Sequence, residues 1–71
     1  MKNPASIKAF ATHLRVLREK AGMSQQELAD TAEVSKLTIQ RIENAKYSTT
    51  LDTLVSLAGA LDIPLKKLMD Y

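Results

Sequence analysis

The side chains best suited to recognise another molecule lie close together, between positions 36 and 41. Ile39 and Ile42 are spaced as on one face of a helix. The opposite, outward face then consists of Lys36, Leu37, Gln40 and Arg41. Lysine and arginine suit guanine O6 and N7, and leucine suits the methyl group of thymine. Because most charged helix faces are simply solvated, this face alone fits an ordinary surface as well as a base-reading one.

Two helix starts position this stretch. Ser24 is followed three residues later by Glu27, a capping box in which the hydroxyl and the carboxylate each bind a free backbone N–H. Ser35 marks the start of a second helix. Apolar residues flank both starts, namely Met23 with Leu28 and Val34 with Ile39. The sequence therefore predicts two short helices, 24–32 and 35–45, joined by a tight turn.

The two predicted helices are expected to pack closely against each other. Their inward faces are formed by Leu28, Ala29, Ala32, Ile39 and Ile42. The methyl group of Ala29 is small enough for the second helix to cross close by. This arrangement is a helix-turn-helix.

The stretch from Leu14 to Leu68 resembles the lambda-repressor-like, or xenobiotic-response-element, family of bacterial and phage regulators. The residues that carry the resemblance are Leu14, Arg18, Gly22-Met23-Ser24-Gln25, Leu28-Ala29, Val34-Ser35, Ile39, Ile42-Glu43, Leu54, Ala58 and Leu61. The chain departs from the family at Glu33 and Ala45, where glycine is usual, and at Thr49, where proline is usual. A non-glycine residue in the left-handed region costs roughly 1–2 kcal/mol, so we expect a slightly strained or altered turn at Glu33.

The resemblance implies an all-α, five-helix DNA-binding domain whose second motif helix reads bases in the major groove. The family's usual base-reading positions match Lys36, Leu37 and Arg41, with Gln40 facing outward beside them. Gln25 matches a residue whose amide and backbone N–H clamp a phosphate. The full set of expected DNA-backbone contacts is Gln25, Ser35, Asn44, Lys46 and Tyr47. The resemblance also implies a partly buried ion pair between Arg18 and Glu43.

Helical periodicity predicts the remaining three helices. The first extends from Ile7 to Ala21 after a loose arm at residues 1–5, and Gly22 ends it because glycine readily adopts the left-handed conformation. Thr50 is expected to cap a fourth helix, and Pro64 suits the first turn of a short fifth helix. The predicted inward residues of the fourth helix are Leu51, Leu54, Val55, Ala58 and Leu61, and the fifth helix carries Leu65, Leu68 and Met69.

The composition favours one small all-α domain that occupies residues 1–71, with the helix-turn-helix at 24–45. The chain is 45% hydrophobic and 25% charged, and it has two glycines, two prolines and no cysteine. Without cysteine there is neither a disulfide nor a thiolate metal site. No apolar run approaches the roughly 20 residues of a membrane span, so a cytoplasmic protein is expected. The net charge of +2 suits both a nucleic-acid partner and an ordinary surface.

Catalysis and metal binding are not expected. The single histidine, His13, lies between core positions of the first helix and is interpreted as a surface residue. The acidic residues Glu27, Asp30 and Glu33 are better interpreted as cap, helix surface and turn. We therefore predict no enzyme, no cofactor and no metal.

The expected function is a sequence-specific transcriptional regulator, a repressor above all, that binds double-stranded DNA at a symmetric operator as a homodimer. The free protein is expected to be a monomer or a weak dimer. Resemblance gives the dimer candidates Leu65, Leu68, Met69 and Tyr71, which fit an ordinary core equally well. The alternative is a protein-binding module, such as an antitoxin or adaptor, that uses the same fold to hold an unidentified protein partner.

Overall fold

The computed structural model describes residues 3–46 and 49–71. Within these two ranges the chain forms five α-helices and no β-strand. The helices are α1 (Pro4–Lys20), α2 (Gln25–Ala32), α3 (Lys36–Glu43), α4 (Leu51–Ala60) and α5 (Leu65–Leu68). The predicted all-α architecture with a helix-turn-helix is confirmed.

The first helix begins earlier than the sequence periodicity indicated. The loose arm predicted for residues 1–5 is wrong from Pro4 onward, since α1 starts at Pro4 rather than Ile7. Proline has a φ suited to a first helical turn, where its missing N–H is not needed. The Ile7 N–H already donates to the Asn3 carbonyl at 3.0 Å. Gly22 ends the helix as predicted, with φ +73.

One apolar cluster joins all five helices. Its fully buried members include Leu14 of α1, Leu28 of α2 and Ile39 of α3, each 0% exposed. The complete cluster is Phe10, Leu14, Leu28, Ala29, Ala32, Ile39, Ile42, Leu57, Ala58, Leu61 and Leu68. Burying one leucine or isoleucine side chain contributes about 1.5–3 kcal/mol, so this cluster holds α2 and α3 on the other helices. The predicted inward face of the helix-turn-helix is confirmed.

The inward face of α4 differs from the prediction. Leu51 and Val55 were expected inside but are 68% and 54% exposed, whereas Leu57 is 0% exposed. Residues of an α-helix are about 100° apart, so Val55 and Leu57 are about 200° apart and cannot both face the core. Leu54 and Ala58 pack inward as predicted, and Leu57 completes their stripe. Leu51 and Val55 form an outward pair one turn apart.

The short helix α5 is fastened to α1. Leu68 is completely buried, while Met69, which follows the last helical residue, is 41% exposed. A ring nitrogen of His13, Nε2, lies 3.0 Å from the Lys67 carbonyl oxygen. The Tyr71 ring meets Phe10 edge-on, with ring centroids 5.6 Å apart. His13 is thus a link between helices rather than a simple surface residue.

Candidate nucleic-acid interface

The helix α2 begins with the predicted capping box. The Glu27 N–H donates to Ser24 Oγ at 3.0 Å, and the Ser24 N–H donates to Glu27 Oε1 at 2.9 Å. The backbone hydrogen bond from Ser24, and then the one from its side chain, hold the pKa of Glu27 below its usual value. In the first turn of α2, the Glu27 carboxylate is therefore already hydrogen-bonded to the Ser24 N–H.

The turn between α2 and α3 needs a left-handed residue, and that residue is Glu33. Its φ of 60 and ψ of 41 lie in the left-handed region. We expected a strained or altered turn here, because the family usually has glycine at this position. The next N–H, that of Val34, donates to the Ala29 carbonyl at 3.0 Å and closes the turn. Ala29 is 0% exposed, so its methyl group lies at the helix crossing.

The helix α3 begins at Lys36, after the N-cap residue Ser35. The Thr38 N–H donates to Ser35 Oγ at 3.1 Å, and the two hydroxyl oxygens lie 2.8 Å apart. This start places Lys36 and Leu37 in the first turn of the helix. A helix that enters the major groove brings such N-terminal residues to the base edges.

The outward face of α3 contains the four residues predicted from the sequence. Lys36 and Arg41 are exposed, Leu37 is 52% exposed and Gln40 is half-buried. Ile39 and Ile42, at 0% and 1% exposure, fix this orientation from the opposite side. Among the residues that the structure describes, none bonds to the ammonium of Lys36 or the guanidinium of Arg41. The face presents hydrogen-bond donors together with one apolar side chain.

The candidate backbone contacts surround this face but differ in their surroundings. Ser35 is exposed at the start of α3, Asn44 is the exposed C-cap, and Lys46 is exposed just beyond it. The Gln25 amide donates to Glu43 Oε1 at 3.1 Å, an internal contact that the sequence did not reveal. Tyr47 lies outside the described residues.

Behind the outward face of α3, Arg18 and Glu43 form an ion pair with two hydrogen bonds. Arg18 Nε donates to Glu43 Oε2 at 2.7 Å, and Arg18 Nη2 donates to Oε1 at 3.1 Å. The side chains are 12% and 0% exposed, respectively. The hydrogen bonds to Glu43 raise the pKa of Arg18 above its usual value. Arg18 Nη1 also donates to the Met23 carbonyl at 2.9 Å, so one guanidinium joins α1, the start of α2 and the end of α3.

Arg15 adds a half-exposed donor to this cluster, and sequence reasoning missed it. Its Nη2 donates to the Glu43 carbonyl at 3.1 Å, and its Nε lies 3.6 Å from Glu43 Oε1. The sequence did contain a signal for this contact. Arg15 precedes Arg18 by three residues, and side chains with that spacing lie on the same helix face. Glu43 thus receives donors from α1 and α2, and these contacts set the angle at which α3 is presented.

The dimer candidates have different surroundings. Leu68 is completely buried and has no side-chain surface to offer a partner, so its core interpretation replaces the interface one. Leu65 is partly buried and packs against the core. Met69 and Tyr71 are 41% and 50% exposed.

Two other site classes were tested against the described part of the chain. Residues 3–46 and 49–71 contain no group of three or more histidine, cysteine, aspartate or glutamate side chains arranged to hold a metal ion. Within the same ranges, every helix falls short of the length and apolarity that a membrane crossing requires.

Comparison with known proteins supports the nucleic-acid interpretation. A sequence model of the helix-turn-helix family matches residues 14–68. The chain is 40% identical over 64 residues to a candidate HTH-type transcriptional regulatory protein of Pyrococcus furiosus, covering 90% of this chain but only 20% of that protein. The chain therefore spans about a fifth of that relative's length.

Solved structures share the fold over almost the whole chain. The restriction-modification controller protein C.AhdI from Aeromonas hydrophila superposes with a TM-score of 0.90 at 29% identity, covering 96% of this chain and 99% of that one. The clp gene regulator ClgR from C. glutamicum gives 0.81 at 24% identity, covering 89% and 82%. At that lower identity the likeness extends to the fold alone.

Proposed function

The chain belongs to the helix-turn-helix family of DNA-binding transcriptional regulators, and from this premise we propose that it binds a two-fold symmetric operator as a dimer, with α3 in the major groove. The lambda-repressor-like resemblance is confirmed. The observation that carries the proposal is the outward face of α3, whose first turn presents Lys36 and Leu37 while its inner side is anchored by Ile39 and Ile42.

The residues of this face divide into two roles. Lys36 and Arg41 donate to guanine, Leu37 contacts a thymine methyl group, and Gln40 lies between them at the base edges. Phosphate contacts come from Ser35, Asn44 and Lys46, which flank α3, and from Tyr47, which follows Lys46 in the sequence. Gln25 contributes its backbone N–H at the start of α2 together with the second N–H of its side-chain amide, which donates its first to Glu43. Base contacts specify the sequence, and phosphate contacts position the protein.

A dimer follows from the small size of one reading helix. One such helix reads only a few base pairs, too few for the affinity that an operator requires. Two copies related by a two-fold axis read half-sites about 34–36 Å apart on one face of the duplex. The regulator acts in the cytoplasm and represses transcription by occupying its operator.

Selection of bound sequences from random duplex DNA tests this proposal. The expected result is a two-fold symmetric consensus. Lys36→Ala and Arg41→Ala are each expected to lose about 1–3 kcal/mol of binding free energy on the selected duplex and to relax the preference at one base pair per half-site. The control is Lys66→Ala, which removes an exposed charge on α5.

Two results would overturn the assignment. If both α3 variants keep the full sequence preference, the outward face of α3 is not the reading surface. If one monomer saturates the selected duplex and its sequence has no symmetry, the dimer is wrong.

A further inference from the structure

The guanidinium of Arg15 has more hydrogen-bond donors than the fold uses. Its side chain is 48% exposed, whereas that of Arg18 is 12% exposed. In the part of the chain that the structure describes, its single hydrogen bond runs from Nη2 to the Glu43 carbonyl oxygen at 3.1 Å. Since a guanidinium carries several N–H groups, most of these donors remain available to another molecule.

The charges around Glu43 leave one positive charge in excess. Arg18 holds this carboxylate with two hydrogen bonds, at 2.7 and 3.1 Å, so the buried pair is neutral as a unit. Arg15 is a second cation on the same carboxylate, further away and half-exposed. Glu19, one turn along α1, is exposed and forms no ion pair with either arginine within the described residues. The excess charge of this cluster therefore lies at the surface, on Arg15.

This charge covers the C-terminal end of α3. Glu43 is the last residue of that helix, and its carbonyl oxygen is the acceptor that Arg15 binds. A helix C-terminus carries a partial negative charge and repels anions. Because Arg15 compensates that charge, a phosphate can approach this end of α3.

Arg15 also lies beside Gln25, which is proposed above to contact a phosphate. The Gln25 amide donates to Glu43 Oε1 at 3.1 Å, and Arg15 Nε lies 3.6 Å from the same oxygen. Both side chains are therefore held next to one atom. Gln25 is the first residue of α2, where the helix dipole favours an anion. Donors from α1 and α2 thus converge at the end of α3.

We propose that Arg15 binds a phosphate of the DNA backbone, the same one that Gln25 contacts, and so brings α1 into the nucleic-acid interface. The planar donors of a guanidinium match phosphate oxygens in pairs. Through the bond to Glu43, the contact connects that phosphate to the C-terminal end of α3. This inference rests on the proposed function and adds a contact outside α3 and the residues that flank it.

The salt dependence of binding tests this contact. Arg15→Met removes the charge but keeps much of the side-chain length. It should weaken the selected and random duplexes by the same factor, about tenfold per copy bound, and reduce the slope of log affinity against log salt by about 0.9 per copy. Arg15→Lys keeps the charge and should keep the slope, but it should lose part of the affinity because an ammonium is a point charge.

Two controls accompany the salt titrations. Lys66→Met makes the same kind of change at an exposed cation of α5 and should alter neither slope nor affinity. The urea midpoint of Arg15→Met should stay close to that of the unsubstituted chain, because its ion pair is half-exposed. Weaker binding of Arg15→Met then does not reflect unfolding.

A neutral phosphate analogue identifies the group that Arg15 contacts. Methylphosphonate replaces one phosphate of each half-site in turn, which removes one negative charge at a known position. At one position the unsubstituted chain should lose affinity while Arg15→Met loses little more, because the two changes remove the same interaction. Gln25→Ala should be non-additive with methylphosphonate at that same position.

The outcomes separate this contact from the proposed function. If Arg15→Met weakens the selected duplex with an unchanged slope, and adds to methylphosphonate at every position, Arg15 only orients α3 and the phosphate contact is wrong. The contact also fails if Arg15→Met binds like the unsubstituted chain. In both cases the proposed function stands if Lys36→Ala and Arg41→Ala relax the base preference. If no duplex is preferred, both fail together. A smaller slope with non-additivity at one phosphate supports the proposal.

Discussion

At the scale of single residues, Glu43 connects the reading helix to the rest of the protein. Its carboxylate has no exposed surface and receives hydrogen bonds from Arg18 and Gln25. A buried carboxylate is costly unless donors surround it, so each donor stabilises the fold by keeping this charge satisfied. The same contacts hold the C-terminal end of α3, so the stability of the domain and the orientation of its reading face depend on one group.

Removing the Arg18 guanidinium is expected to be costly. Arg18→Met keeps much of the side-chain volume but leaves the Glu43 charge with too few partners, so the free energy of unfolding should fall by about 3–5 kcal/mol. Arg15→Met is the matched control. Arg15 is 48% exposed and 3.6 Å from the Glu43 carboxylate, so its ion pair is worth about 0–1 kcal/mol. Urea denaturation of both variants measures the difference, and equal losses would contradict this ranking.

The capping box makes stability depend on pH through Glu27. Because the folded pKa of Glu27 is below its unfolded pKa, its contribution is fully present above the unfolded value and is lost as the pH falls through the folded value. Glu27→Gln keeps an oxygen that accepts the Ser24 N–H but does not titrate. Between about pH 6 and about pH 3, the urea midpoint of the unsubstituted chain should fall further than that of the variant. Parallel curves would show that the cap is insensitive to pH.

At the scale of elements, the starts of α2, α3 and α4 were more predictable than the inward face of α4. The caps at Ser24, Ser35 and Thr50 follow from local chemistry, since a hydroxyl that accepts a nearby N–H needs only a few neighbouring residues. The inward face of α4 depends on which of several apolar residues meets α2 and α5. The sequence of α4 alone does not show which of its apolar residues face the core. Leu51 and Val55 were therefore predicted to face inward, although they face outward.

In the candidate site, one helix face was predictable but a contact between helices was not. The outward face of α3 was predictable because Ile39 and Ile42 leave only one inward side for a short helix. The contact of Gln25 with Glu43 was not, because it joins residues 18 positions apart across two helices. The start of α1 at Pro4 was not predicted, because the apolar periodicity begins only at Ile7. Proline at the first position of a helix was the signal that could have indicated it.

Two turns have a left-handed residue where the family usually has glycine. Replacing such a residue with glycine is therefore predicted to increase the stability of the fold. Ala45 has φ 56, a conformation that costs a non-glycine residue roughly 1–2 kcal/mol. Because glycine itself loses about 0.5–1 kcal/mol through backbone entropy, Ala45→Gly should raise the free energy of unfolding by up to about 1 kcal/mol. Ala9→Gly makes the same chemical change inside α1 and should lower it by about 0.5–1 kcal/mol. Thermal unfolding compares the two, and a loss of stability in Ala45→Gly would show that its methyl group matters more than its backbone strain.

At the scale of the whole molecule, the net charge is small. The positions of the individual cations therefore matter more than the net charge for attraction to DNA. The net charge is only +2, yet Lys36, Arg41 and Lys46 lie on or beside one helix. A protein with so little net charge has a weak long-range field, so its attraction to DNA depends on the few cations that reach phosphates. Lys36 and Arg41 are assigned to bases, which leaves Lys46 as the principal phosphate-binding cation of the proposed interface.

This placement predicts how salt affects DNA binding. Lys46 is exposed just after α3, and its backbone N–H donates to the Arg41 carbonyl at 2.9 Å, which holds it near the end of the reading helix. Each cation on a phosphate releases a counterion, so Lys46→Ala should reduce the slope of log affinity against log salt by about 0.9 per copy bound, about 1.8 for the dimer, and weaken operator and random duplex alike. Lys66→Ala, on α5, should leave the slope unchanged. Titrations at several salt concentrations measure both slopes. If Lys46→Ala weakened the operator but not the random duplex, Lys46 would be reading bases, and the division of roles between α3 and its rim would have to be reversed at that residue.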